Sequence, residues 1–162
     1  MRVLCFDPSG SFHEGEGCTG WAVFEDGELK DFGRLEAKKC NSIEEYFWAH
    51  CLLIDSKLPN TIVCESYKLF GHKAKQQSWS EMETPQLIGA LRLRCWVDSI
   101  ALVFQDPKDK VRVADPILVH MGVLEQSEGN RYKALGRQTV IHERDAIRHG
   151  VFWHRYNKEK VK

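Results

Sequence analysis

Two short apolar runs, each closed by an acid, constrain this chain more than any other feature. Val3-Leu4-Cys5-Phe6 ends at Asp7 and is followed by Pro8-Ser9-Gly10; Thr61-Ile62-Val63-Cys64 ends at Glu65. Both are too short for helices and too continuously apolar for strands with one face in water, so they read as buried central strands. A strand of that kind needs cover on both faces, which points to an α/β layering.

The remaining elements follow from local signals. Residues 19–24 and 28–35 flank Glu25-Asp26-Gly27, and Asp-Gly between apolar-patterned segments marks a hairpin, so the first three strands form an antiparallel meander. Asn41-Ser42-Ile43-Glu44-Glu45 carries a capping-box pattern. Behind it Ile43, Tyr46, Phe47, His50, Leu53, Ile54 and Leu58 recur at helical spacing, predicting a helix over 43–57 that Pro59-Asn60 stops. Residues 66–80 read as a basic, aromatic loop. Thr84-Pro85 predicts an N-cap and first helical position, with the helix reaching about residue 99 and a fifth strand over 100–104. Residues 105–140 yield only a short helix over 116–124, and a last helix runs from Ile141 to Tyr156. The expected order is β-β-β-α-β-α-β-α: an α/β fold with a five-stranded mixed sheet flanked by helices, one domain over 1–157, then a basic tail over 158–162.

Composition removes several function classes. Lys and Arg total 23 and Asp and Glu total 23, so the chain is no polycation, although a basic face can still balance an acidic site. At 43% hydrophobic residues it is not expected to be disordered, and no apolar run is long enough to span a membrane. An acid at position 7 comes too early for a signal peptide, which predicts a cytoplasmic protein. Cys5, Cys18, Cys40, Cys51, Cys64 and Cys95 show no C-x-x-C spacing and read as reduced thiols, mostly in apolar segments.

The chemistry lies in where the acids fall. Asp7 and Glu65 end two central strands, and if those strands are neighbours their carboxylates meet at one point. In the last helix His142, Asp145, Ala146, His149, Phe152, Trp153 and Tyr156 share one face, with Arg144, Arg148 and Arg155 opposite. Asp145 therefore lies on the face turned to the core, where a carboxylate is costly without a partner. Carboxylates converging in this way repel unless a cation offsets them, and oxygen ligands favour Mg²⁺ or Mn²⁺. After Glu65 come Tyr67, Lys68, Phe70, His72, Lys73, Lys75 and Trp79, cations interleaved with aromatics, a composition suited to phosphates and unstacked bases. The second helix has Leu87, Ile88, Leu91 and Cys95 on one side and Ala90, Leu93, Trp96 and Val97 on the other, so it is either sandwiched or at a subunit interface.

Phe6-Asp7-Pro8-Ser9, Thr19-Gly20-Trp21, Val63-Cys64-Glu65, Gln86-Leu87-Ile88-Gly89-Ala90 and His142-Glu143-Arg144-Asp145-Ala146 stand in the order seen in RuvC-type Holliday junction resolvases, which the chain resembles over nearly its whole length. The resemblance implies an RNase H-like fold and a nuclease that resolves four-way or branched DNA by paired phosphodiester cleavage. It implies two Mg²⁺ or Mn²⁺ ions, with Asp7 bridging, Glu65 on one ion, and Asp145 and His142 on the other. It also implies a homodimer, a wedge at Tyr67 or Phe70, and a second DNA-binding cluster at Lys108, Lys110 and Arg112. The family usually has Gly at the position of Ser9 and two acids three residues apart where His142 and Asp145 stand. The set thus resembles the family's Asp/Glu/His/Asp variant, with Glu143 as rival to His142, and suggests a phage or bacterial branch working in the bacterial or phage-infected host cytoplasm. His149 reads as packing and His13 as a solvated loop residue. The competing readings are a flap, single-strand or RNA–DNA hybrid nuclease, and a non-catalytic DNA-binding module on the same fold.

Overall fold

The computed structural model describes residues 1–68 and 81–156. The strands β1 (Arg2–Asp7), β2 (Cys18–Glu25) and β3 (Glu28–Glu36) form the expected meander, and α1 (Ile43–Lys57) and β4 (Thr61–Glu65) follow. Beyond residue 80 come α2 (Glu83–Val97), β5 (Ala101–Gln105), a 3₁₀ turn (Asp109–Val113), α3 (Asp115–His120), β6 (Glu125–Gln126), β7 (Tyr132–Ala134), β8 (Arg137–Gln138) and α4 (Ile141–Tyr156). Among these residues the main sheet has the order β3-β2-β1-β4-β5, and β6, β7 and β8 make a small antiparallel sheet of their own. Beyond the eight expected elements, these three short strands are an addition within 105–140.

Sequence and local structure agree where the signal is strong. Asp26 and Gly27 both have positive φ, 52° and 95°, as a tight hairpin turn demands. Ser42 accepts the Glu45 N–H at 3.1 Å, and the Glu45 carboxylate reaches back to the Asn41 N–H at 2.7 Å, which starts α1. The start of α2 differs from expectation. It begins at Glu83, with Met82 left-handed at φ 55°, and the Thr84 hydroxyl that was expected to cap it instead accepts the Gly10 N–H at 2.8 Å.

β1 lies between antiparallel β2 and parallel β4, so both its edges are paired, and helices cover its two faces as its apolar run predicts. Side chains alternate across a strand. Val3 and Cys5 of β1 and Val63 of β4 join a cluster with Ala146, Ile147, Val151, Phe152 and Trp153 of α4. Leu4, Phe6, Ile62 and Cys64 join one with Ile54 of α1 and Leu87, Leu91 and Cys95 of α2. Each large apolar side chain buried this way stabilises the fold by about 1.5–3 kcal/mol. The same alternation sends Asp7 and Glu65 to the α4 face. On α2 only one side is buried: Leu93 is 62%, Trp96 78% and Val97 62% exposed.

Two glycines on this face set how closely α4 approaches. A Cβ on Gly20 would lie 1.9 Å from the His142 carbonyl oxygen, and one on Gly150 would lie 2.1 Å from the Phe24 ring. Gly20 is the register partner of Asp7. The missing side chain therefore lets the first turn of α4 press onto the sheet beside the acid. Ser9, where the resembling family has Gly, is absent from the residues with positive φ, so its backbone makes no demand for glycine.

Candidate active site

Three elements deliver the acids. Phe6 pairs with Cys64 in the parallel β1–β4 ladder, so Asp7 and Glu65 emerge next at adjacent carboxyl ends. Asp145 comes from the second turn of α4, whose close approach Gly20 allows. Asp7 and Asp145 are buried and Glu65 is half-buried.

The centre of this triad holds a cation. The Lys110 ammonium lies 3.2 Å from Asp7 Oδ1, 2.8 Å from Glu65 Oε2 and 2.8 Å from Asp145 Oδ2. Burial opposes a charge on Lys110, but Asp7, Asp145 and Glu65 outweigh it and hold the ammonium above the ordinary lysine value. Each acid also has a partner of its own. His142 Nδ1 is 2.8 Å from Asp7 Oδ2, His149 Nε2 is 2.7 Å from Glu65 Oε2, and Arg148 donates to Asp145 Oδ1 at 2.7 Å. Burial alone would raise the Asp7 carboxyl, yet the His142 hydrogen bond and the Lys110 charge hold it below the usual value. Reciprocally, the bond to Asp7 raises the His142 imidazole against the opposing effect of burial.

The residues fit a divalent metal on their own chemistry. One ligand atom each from Asp7, Glu65 and His149 lie within 4.8 Å of one another. His149 is completely buried, and its tautomer is set from behind. Gln105 Nε2 donates to the His149 carbonyl at 3.2 Å, which leaves Gln105 Oε1 facing His149 Nδ1 at 2.7 Å as the acceptor. With the proton on Nδ1, the Nε2 lone pair points at the Glu65 carboxylate. Two acceptors at this distance need a proton or a cation between them, and an imidazole oriented through its second nitrogen is the usual form of a metal-binding histidine.

The other sequence candidates fall as follows. Glu143 is turned away: it accepts the Val140 N–H at 2.8 Å and lies 3.4 Å from Arg34, so His142 is the one that meets Asp7. His13 is exposed but tied to Glu83, and its hydrogen bond to the Glu83 carboxylate raises its imidazole. Tyr67 is half-buried, Lys68 pairs with Asp106, and Lys108 and Arg112 are exposed. Phe70, His72, Lys73, Lys75 and Trp79 lie outside the described residues, as does the tail over 158–162. Arg144 and Arg148 are not on a solvated face: both bind Asp115, at 3.2 and 2.7 Å. The sequence reading gave Lys110 to a DNA-facing cluster and missed its place among the acids. The one available signal was its position just beyond Gln105, the register partner of Glu65.

Neither a protein-family model nor a curated protein sequence matches the chain. Its three-dimensional form does match solved structures. Thermus thermophilus RuvC, solved in complex with Holliday junction substrate, aligns with a TM-score of 0.68 over 99% of this chain and 97% of its own, at 14% identity. The chain has the RuvC fold. A second T. thermophilus RuvC structure aligns over 96% of each chain with a TM-score of 0.63, also at 14% identity. The Fowlpox virus resolvase, solved with Holliday junction DNA, aligns over 74% of this chain and 77% of its own, with a TM-score of 0.51 and 9% identity. This RuvC fold carries the acid cluster at the carboxyl ends of its two parallel central strands. No helix among the described residues is long and apolar enough to cross a membrane.

Proposed function

We propose that the chain is a metal-dependent, structure-selective endodeoxyribonuclease that resolves four-way or branched DNA junctions. The observation that carries the reading is the convergence of Asp7, Glu65 and Asp145 on one cation position within the RuvC fold. Asp7, Glu65 and Asp145, with the imidazoles of His142 and His149, would hold Mg²⁺ or Mn²⁺. When bound, such an ion supplies positive charge against the charge developing on the scissile phosphate. The chain's own groups prepare the site. His142 keeps Asp7 ionised by donating to it, Arg148 fixes Asp145, and Gln105 orients the His149 imidazole toward Glu65.

In this reading Tyr67, Lys68, Phe70, His72, Lys73 and Lys75 contact the branched DNA. Lys108 and Arg112 meet phosphates beside the acids. The chain acts as a single nuclease domain over 1–157 in the cytoplasm of a bacterium or phage-infected host. It works as a homodimer, joined through the exposed Leu93, Trp96 and Val97 of α2, so that two sites cut opposite strands about a two-fold axis.

The test is cleavage of a labelled four-way junction beside flap, single-stranded, linear duplex and RNA–DNA hybrid substrates, with Mg²⁺, Mn²⁺ or EDTA and with Asp7→Asn. Paired symmetric nicks on the junction, lost in EDTA and in the variant, are expected. Stronger cutting of flaps or hybrids would replace the junction reading, and junction binding without any cutting would replace the nuclease.

A further inference from the structure

We infer that Lys110 is the second cation of this centre, so that the protein binds one divalent ion, on Asp7, Glu65 and His149, beside the ammonium. The inference rests on the nuclease reading for its purpose, but its evidence is the arrangement of the side chains. Two groupings share Asp7 and Glu65. His149 completes the first, with ligand atoms all within 4.8 Å of one another. Asp145 completes the second, and that grouping already surrounds Lys110 Nζ at 2.8 to 3.2 Å.

The lysine is built in rather than draped over. Its side chain is only 19% exposed, and it leaves a 3₁₀ turn whose Val113 is buried in the cluster under α4. Asp109 pins the start of that turn by accepting the Asp106 N–H at 3.2 Å, and the carboxylate of Asp106 accepts the Lys108 N–H at 3.1 Å. An ammonium has three donors, and here three carboxylates receive them.

The charge reckoning agrees. Asp7, Glu65 and Asp145 bring three negative charges, and Asp115 adds a fourth through its pairing with Arg144 and Arg148. Lys110, Arg144 and Arg148 return three positive charges. With Lys110 in place, one divalent ion already over-compensates the remaining charge, and a second finds its carboxylates taken. Without Lys110 the second grouping keeps only Arg148, on the far oxygen of Asp145, and has no cation among its three carboxylates. The inference thus departs from the two ions that the resemblance implies. It also takes Lys110 out of the DNA-facing cluster and makes His142 a donor that orients Asp7.

The experiment counts Mn²⁺ bound to the full chain without DNA, by the electron paramagnetic resonance signal of free Mn²⁺ in a titration. One ion per wild-type chain is expected, a count that needs no variant. Lys110→Met is expected to take two ions and Lys110→Arg, which keeps the charge, only one. His149→Leu should weaken the wild-type ion at least tenfold. Lys110→Gln replaces Lys110→Met should the latter fail to fold by circular dichroism. Two ions or none in the wild type, or one in both Lys110→Met and Lys110→Gln, would overturn the inference. Junction cleavage is scored separately. One ion bound with no nucleic acid cut would leave the lysine assignment standing and remove the nuclease reading, while junction cutting with two ions bound would do the reverse.

Discussion

Gly20→Ala tests whether the close approach of α4 to the sheet is what assembles the site. The added Cβ would sit 1.9 Å from the His142 carbonyl oxygen and 2.2 Å from its carbon. Ordinary contact begins at 3.4 Å, so, going from 1.9 to 3.4 Å, the first turn of α4 must retreat by about 1.5 Å. Neither side yields easily, because the obstructing atoms are helix backbone and Gly20 is held between β1 and β3 in the sheet. Overpacking of this kind costs ~1–3 kcal/mol, which for a domain of this size lowers Tm by roughly 3–10 °C. The catalytic cost is larger in proportion, since a displacement of about 1 Å at reacting groups removes roughly a hundredfold in rate. Retreat of His142 also breaks its bond to Asp7, so the imidazole should fall back toward its ordinary value from the raised one. The assays are single-turnover junction cleavage, thermal melting, and an NMR pH titration of His142, with Gly89→Ala as comparator because a Cβ there meets open space. Cleavage within threefold of wild type, with His142 titrating unchanged, would refute the argument that Gly20 positions α4.

Two further predictions concern stability and assembly. His50 is completely buried, with Nδ1 2.8 Å from the Tyr46 carbonyl and, among the described residues, no partner for Nε2, and burial lowers its imidazole from 6.5 to about 4. The unfolded chain therefore binds the extra proton first, so stability is complete above about pH 6.5 and falls by about 3 kcal/mol by pH 4; urea titrations should show a smaller loss in His50→Leu. Trp96→Asp places a charge on the most exposed part of the apolar α2 face and should weaken dimerisation at least thirtyfold, the scale of one interface hot spot at about 2 kcal/mol. Sedimentation velocity checks this, and a wild type that stays monomeric at high concentration would remove the dimer.

How much was legible in the sequence depended on how local each cause was. β4, α1 and α4 match their expected bounds because a β-branched run, a capping box and a strong helical period are each self-contained. The α2 start was not legible, since the Thr84 hydroxyl serves Gly10, and that contact spans 74 positions. β6 and β8 have two residues each, too short to show a period of two. The acids could be read because strand ends are local facts and parity sends Asp7 and Glu65 to one face. Lys110 could not be, because its bond to Asp7 spans 103 positions and its turn lies in the segment with no regular pattern. The pairing of Arg144 and Arg148 is illegible for the same reason: their partner Asp115 belongs to that segment.

The two departures at this centre point the same way. The resembling family usually has an acid where His142 stands, as its Asp/Glu/His/Asp variant does not, and a fourth acid beside Asp7 would demand more cationic charge. His142 instead donates to Asp7, removing one negative charge and satisfying one carboxylate oxygen. Lys110 then brings a positive charge to the other oxygen of the same carboxylate. A lysine beside four acids would leave more negative charge than one divalent ion offsets. Together the histidine and the lysine suit one divalent ion and an ammonium. The identity of residue 142 and the position of Lys110 are therefore coupled, and a double-mutant cycle gives this a measurable form. His142→Asp alone should leave the Mn²⁺ count at one if the ammonium blocks the second position, and the pair with Lys110→Met should bind two. A count of two in His142→Asp alone would mean that the added carboxylate displaces the lysine, and that charge rather than occupancy governs the centre.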